Sequence, residues 1–296
     1  VSETIEHVSD TAFWVAYYRW METQRPDALF HDPLAGKLVG DRGEKMARHM
    51  GIQRAMAWSM ALRTYTIDRY ILDAIKGGVD CVVNLGAGLD TRPYRLDLKP
   101  DFPWIEVDFP HMIDFKTDAL KDETSVCRLE RIACDLSQGS AREGLLKTLN
   151  TRGQSILVLT EGVVPYLANA AVADLARNLN EQNHITYWLT DYFSPLFNRM
   201  SARGKMMKQL QKNAPFLFNP GEAPEDWPRF FAGLGWQIDK VRFLGEVGRE
   251  MGRDLPANWL VRMFMRFAKE EHLRPYRRMN GYVLLKKGHE IVTIDA

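Results

Sequence analysis

Val82-Val83-Asn84-Leu85-Gly86-Ala87-Gly88-Leu89-Asp90-Thr91-Arg92 is an apolar strand that runs into a turn built on two glycines. Gly86 and Gly88 let the chain reverse tightly and let a ligand touch backbone, because neither carries a Cβ. A strand, a glycine turn and a following helical stretch mark the ligand edge of a doubly wound sheet. A dinucleotide site needs a third glycine three positions after the second, where helix and strand close around a pyrophosphate. Thr91 occupies that position. Asp90 beside it would repel a pyrophosphate and suits a cationic or hydrogen-bond-donating ligand. The turn therefore favours a nucleoside without phosphates and weakens the reading as a nicotinamide dehydrogenase.

Downstream, short apolar runs alternate with helical stretches. Cys81 to Leu85, Trp104 to Val107, Arg128 to Ala133, Ser155 to Thr160 and Ile185 to Leu189 read as strands, with Trp236 to Phe243 and Gly281 to Lys286 as two more. Strands joined by helical crossovers form a parallel sheet covered on both faces, an α/β architecture. Several of these strands end on an acid. Asp108 closes the second strand, 20 residues after Gly88, where a carboxylate accepts bonds from ribose hydroxyls. Asp135 follows the third strand and suits an adenine amino group, with Leu136 packing on the ring; Glu161 follows the fourth, near a sulfonium or amino group. S-adenosylmethionine, an adenosine joined to an amino acid through a sulfonium and free of phosphate, matches these requirements.

Upstream, the first 78 residues read as helices. Phe13, Trp14, Tyr17, Tyr18 and Met21 recur at helical spacing, Pro33 opens a second helix over 32–39, and a third stretch runs from Glu44 to Ile75. The segment 193–235 departs from the strand–helix rhythm. Its basic residues, among them Arg199, Arg203, Lys205, Lys208 and Lys212, alternate with methionines ahead of a proline-bearing loop, which reads as a helical insertion: a lid or a solvated surface helix. The late basic run of Arg262, Arg266, Lys269, Arg274, Arg277 and Arg278 reads as a solvated helix face. The whole chain, 1–296, is expected to be one domain: a helical cap over 1–78 and a ligand-binding core over 79–296.

The 296 residues carry 39 Lys and Arg against 38 Asp and Glu, a net charge of +1, which excludes a broadly basic nucleic-acid binder. Three cysteines, Cys81, Cys127 and Cys134, suit neither a disulfide framework nor a zinc cluster, and the seven histidines show no metal spacing. No signal peptide or bilayer-spanning run is read, so the expectation is a cytoplasmic protein with no membrane partner and no metal.

With these motifs in view, the chain is similar to the leucine carboxyl methyltransferase family, whose eukaryotic members methylate a protein C-terminal carboxylate. It looks closest to the bacterial branch, which includes polyketide carboxyl and O-methyltransferases such as the tetracenomycin enzyme. The resemblance rests on His31-Asp32-Pro33-Leu34-Ala35, Arg63-Thr64 with Ile67-Asp68, Asn84-Leu85-Gly86-Ala87-Gly88-Leu89-Asp90-Thr91-Arg92, Val107-Asp108-Phe109-Pro110, Asp135-Leu136, and Glu161-Gly162-Val163-Val164-Pro165-Tyr166-Leu167. It implies a Rossmann-like class I methyltransferase fold: a seven-stranded, mostly parallel sheet in the order 3-2-1-4-5-7-6, with the seventh strand antiparallel. It also implies that Arg63 binds the methionine carboxylate, the Gly86-Ala87-Gly88-Asp90 turn the cofactor backbone, Asp108 the ribose, and Asp135 and Leu136 the adenine, while Glu161 helps close the site. Arg19 resembles the family's N-terminal basic position, at a spacing to His31-Asp32-Pro33 that differs from the eukaryotic enzymes.

The expected activity is S-adenosylmethionine-dependent methyl transfer to a carboxylate or hydroxyl oxygen of a small molecule, of the polyketide-like secondary metabolite kind. A protein C-terminal carboxyl methyltransferase and a non-catalytic S-adenosylmethionine-binding module are the alternatives. Tyr166, Tyr17, Tyr18 and Tyr192 combine an apolar ring with a hydroxyl and are the candidate acceptor contacts, whereas Phe13 and Trp14 suit core packing.

Overall fold

Strand β1 (Cys81–Leu85) lies at the middle of a seven-stranded sheet in the order β3-β2-β1-β4-β5-β7-β6. The computed structural model describes residues 10–40, 54–201, 215–223, 225–256, 259, 263, 267–292 and 294. Strands β2 (Pro103–Asp108), β3 (Arg128–Ala133), β4 (Ile156–Thr160) and β5 (Ile185–Phe193) run parallel to β1. Strand β7 (Asn280–Lys287) lies antiparallel between β5 and β6 (Trp236–Phe243). This is the Rossmann-like class I arrangement that the resemblance implies.

The alternation of side chains sorts the core into two layers. Cys81, Val83, Leu85, Ile156, Val158, Trp188, Tyr192, Val283 and Leu285 bury one face of the sheet. That face packs on helices α5 (Gly139–Leu149) and α6 (Asn169–Asn180) through Leu146, Val172 and Leu179. Val82, Trp104, Leu157, Leu159, Leu189, Tyr282 and Leu284 bury the other face, against Leu62, Ile67, Tyr70 and Ile71 of α3 (Arg54–Lys76). Burying a side chain of this size stabilises the fold by roughly 1.5–3 kcal/mol. Because both faces are covered, β1 and β4 are buried at every position and read as continuous apolar runs.

Helix α1 (Asp10–Thr23) and helix α2 (33–40) form the cap with the start of α3. Phe13, Trp14, Tyr17 and Tyr18 pack there with Leu38, Met60, Leu89 and Met112, so α1 covers the glycine turn. Asp32 opens α2 by accepting a bond from the Ala35 amide at 3.1 Å. The part of the expected third helix over 44–53 lies outside the described residues.

The helix expected after the glycine turn is α4 (Arg92–Arg95), one turn long. Two local expectations are corrected. Strand β5 continues past Leu189 to Phe193, because β7 pairs with it along that whole length, Tyr192 opposite Gly281 and Phe193 opposite Asn280. In the late basic run, Arg277 is buried on Asp254 and Arg278 pairs with Glu246, so these two arginines are ion-paired; Arg262 and Arg266 lie outside the described residues. The insertion contributes helices Pro195–Ser201 and Asp226–Ala232; Arg203, Lys205, Lys208 and Lys212 lie outside the described residues. Among the described residues no helix is long and apolar enough to cross a membrane.

Candidate cofactor and acceptor site

A cavity of about 540 Å³ opens at the carboxyl ends of β1, β2, β4 and β5, within the size range of small-molecule sites. The glycine turn forms its floor. Gly86 and Gly88 take φ values of 72° and 47°, in the left-handed region. The Gly86 and Ala87 amides donate to Val107 O at 2.8 and 3.1 Å, which ties the turn to β2. Asp108 accepts from the Gly88 amide at 2.6 Å and from the Phe109 amide at 2.7 Å, so its carboxylate is fixed at the cavity wall. A Cβ on Gly86 would stand 2.5 Å from Val163 Cγ2. Gly86→Ala should therefore cost about 2–5 kcal/mol, the sum of the left-handed backbone penalty and an overpacking term. Thermal unfolding of the purified variant measures this, and an unchanged midpoint would show the turn to be slack.

Four arginines, Arg19 and Arg92 buried and Arg63 and Arg95 partly buried, interlock with four acids beneath the turn. Arg92 donates from Nε to Asp68 at 2.7 Å and from Nη1 to Asp90 at 2.8 Å and Glu161 at 2.6 Å. Arg95 holds Asp68 through both terminal nitrogens, and Arg19 lies between Asp32 and Asp90 while donating to Leu89 O. Arg63 Nε donates to Glu161 Oε1 at 2.7 Å. Burial alone would raise the Asp90 carboxyl, but Arg92, Arg19 and Lys116 prevail and hold it well below the usual carboxylate range. Burial likewise opposes the ionisation of Glu161, and Arg92 with Arg63 again outweigh it and lower its pKa.

This network alters the electrostatic picture suggested by a row of acids at the sheet edge. Both oxygens of Glu161 and of Asp90 are engaged by protein donors. The acids brace arginines, and the site is close to electrically balanced. Arg63 lines the cavity, and its Nη1 lies 3.9 Å from the Met60 sulfur.

Of the residues singled out in the sequence, Arg19, Arg63, Gly86, Ala87, Gly88, Asp90, Asp108, Leu136, Glu161 and Tyr166 line this one cavity. Asp135 does not; its carboxylate accepts from the Ser137 amide at 2.9 Å and folds back on its own turn. Tyr17, Tyr18 and Tyr192 also stand outside the lining. Tyr17 and Tyr18 pack within the cap, and Tyr192 packs edge-on against Trp227 and Phe243. Along β5 adjacent side chains point to opposite faces, so Asp191 is brought to the cavity and Tyr192 is carried away from it.

Asp191 and Tyr282 are cavity residues that motif reading passes over. The Tyr282 hydroxyl donates to Asp191 Oδ1 at 2.9 Å, and the Gly162 amide donates to Oδ2 at 2.8 Å. Burial pushes the Asp191 carboxyl up, against the pull of Arg63. Around this pair the wall is aromatic: Tyr166 meets Phe216 edge-on at 5.2 Å, and Phe193 stacks near Phe197 at 4.5 Å. The cavity thus has a polar lobe at the glycine turn and an aromatic lobe beyond Glu161. Its size, the fixed Asp108 carboxylate and the inward edge of Arg63 fit a nucleoside that carries an amino acid.

A family profile described as leucine carboxyl methyltransferase matches residues 12–180. A Streptomyces coelicolor protein named as a candidate S-adenosyl-L-methionine-dependent methyltransferase is 34% identical over 246 residues, covering 77% of this chain and 82% of its own. A Frankia alni protein of the same description is 31% identical over 271 residues, covering 83% of this chain and 89% of its own. Among solved structures, a DUF574 family protein from Streptomyces avermitilis superposes with a TM-score of 0.56 at 13% identity, covering 94% of this chain and 97% of its own, a likeness of fold.

Proposed function

Because the chain belongs to the leucine carboxyl methyltransferase family and is an S-adenosylmethionine-dependent methyltransferase, we propose that it methylates an oxygen, carboxylate or hydroxyl, of a small planar molecule. One observation carries this reading: the aromatic lobe formed by Tyr166, Phe193, Phe197 and Phe216 is continuous with the glycine-turn lobe in a single cavity. Flat apolar walls suit a flat apolar ligand.

In this reading Asp108 accepts from the ribose hydroxyls, Leu136 packs on adenine and Arg63 pairs with the methionine carboxylate. Glu161 and Asp90 keep Arg63, Arg92 and the turn in place. S-adenosylmethionine, when bound, supplies an electrophilic methyl group. The chain's own task is to orient the acceptor oxygen and exclude water, and alignment of this kind reaches effective molarities on the order of 10⁵–10⁸ M. Tyr166 lines the cavity near Arg63 and Asp191 and is the candidate for orienting the acceptor.

The test is incubation with methyl-labelled S-adenosylmethionine and a small-molecule extract, followed by mild base. Label in a low-mass product supports the reading, and its survival in base marks an ether where loss marks an ester. Label found only in protein would overturn it.

A further inference from the structure

Asp191 and Tyr282 form a buried polar pair in the cavity wall, and its charge discriminates between the two kinds of acceptor oxygen. Asp191 is 4% exposed and Tyr282 3%, yet both line the cavity, joined by the 2.9 Å bond from the Tyr282 hydroxyl. The cationic side chains that line the cavity among the described residues are Arg19, Arg63 and Arg142. Arg19 is held by Asp32 and Asp90, and Arg142 by Asn178 and Leu136 O on the far side of the glycine turn. Arg63 is shared between Glu161 and, in the proposed function, the cofactor carboxylate. An anionic acceptor in the aromatic lobe would therefore face Asp191 with no further cation among the described residues. A neutral hydroxyl would find an acceptor for its proton.

We propose that the methyl acceptor is an aromatic hydroxyl and that Asp191, bridged by Tyr282, is the base that takes its proton. The inference rests on the reading of the chain as a small-molecule O-methyltransferase. In the step, the bond from sulfur to methyl carbon breaks as the bond from oxygen to that carbon forms. The hydroxyl proton passes to Tyr282 Oη while the Tyr282 proton moves to Asp191, which leaves a neutral carboxyl and a neutral thioether. A phenol with a pKa near 10 needs such a base at neutral pH, whereas a carboxylate needs none. The groups that face Asp191 are Arg63 on α3, Glu161 after β4, Tyr166, and Tyr282 on β7. Its raised pKa, caused by burial, makes it a stronger base than an exposed carboxylate.

The test uses 2-naphthol and 2-naphthoate, which share one ring system and differ in the ionisable group. With the protein saturated with S-adenosylhomocysteine, calorimetry should give a naphthol affinity at least about tenfold above that for naphthoate. With labelled S-adenosylmethionine, naphthol methylation should rise with pH through one ionisation and then level. Asp191→Asn should lower kcat by about 10²–10³-fold, leave KM within a few-fold and abolish that rise. Tyr282→Phe, which keeps the ring and its packing, should lower kcat and displace the rise. Naphthoate binding as tightly as naphthol, binding of neither, or an Asp191→Asn profile equal to the parent's would overturn the inference. Transfer of label to protein alone would instead overturn the small-molecule reading beneath it.

Discussion

Replacing Arg92 by Met is expected to remove about 3–5 kcal/mol of stability, enough to unfold much of a protein whose total lies near 5–15 kcal/mol. Arg92 is fully buried and touches Asp68, Asp90 and Glu161 at once. Methionine fills similar volume, so the loss comes from three carboxylates left short of their cation. The pH dependence separates this cause from a packing defect. In the parent, Asp90 and Glu161 ionise below their usual range, so they contribute stability that is present at neutral pH and lost in acid. In the variant their main cation is gone and burial pushes both carboxyls up, so the folded variant takes up protons earlier. The stability deficit should be widest near pH 7–8 and narrow towards about pH 5. A deficit that stays constant across that range in denaturant titrations would show that the charges had found other partners.

How much of this was legible beforehand follows from what each feature depends on. The strands at β1, β3 and β6 were readable because each is a compact run bounded by turn signals, and the cavity edge because Gly86, Gly88 and Asp108 lie at the ends of two adjacent strands within about twenty residues. Asp191 was not readable as a cavity residue. Its placement depends on β7 pairing with the far end of β5 from about ninety positions downstream, with Asp191 directly opposite Tyr282. The same pairing moved Tyr192 into the core. Glu161 and Asp90 lie at the sheet edge, but their engagement by Arg63 and Arg19 depends on α3 and α1 folding over the turn, and local spacing carries no trace of that. Asp135 illustrates a third limit. An acid after a strand is equally suited to bond its own turn, and here it does so through Ser137.

Arg63→Ala should weaken binding of S-adenosylhomocysteine by about 10²-fold, close to 3 kcal/mol, the usual cost of truncating one partner of a buried charge pair. Two contributions act together. The guanidinium that would meet the ligand carboxylate is gone, and Glu161, which keeps Arg92 but loses its 2.7 Å bond with Arg63 Nε, presents a less compensated anion near the same place. Arg63→Lys should recover little, because an ammonium cannot present one edge to Glu161 and another to the ligand. Adenosine supplies the internal control. It lacks the amino-acid end, so its affinity should change by no more than a few-fold in either variant, whereas Asp108→Ala, which strips the wall of the ribose acceptor, should weaken adenosine and S-adenosylhomocysteine alike. If Arg63→Ala weakened adenosine as much as S-adenosylhomocysteine, Arg63 would be supporting the turn and not reading the carboxylate, and the polar lobe would have to be assigned in the opposite sense.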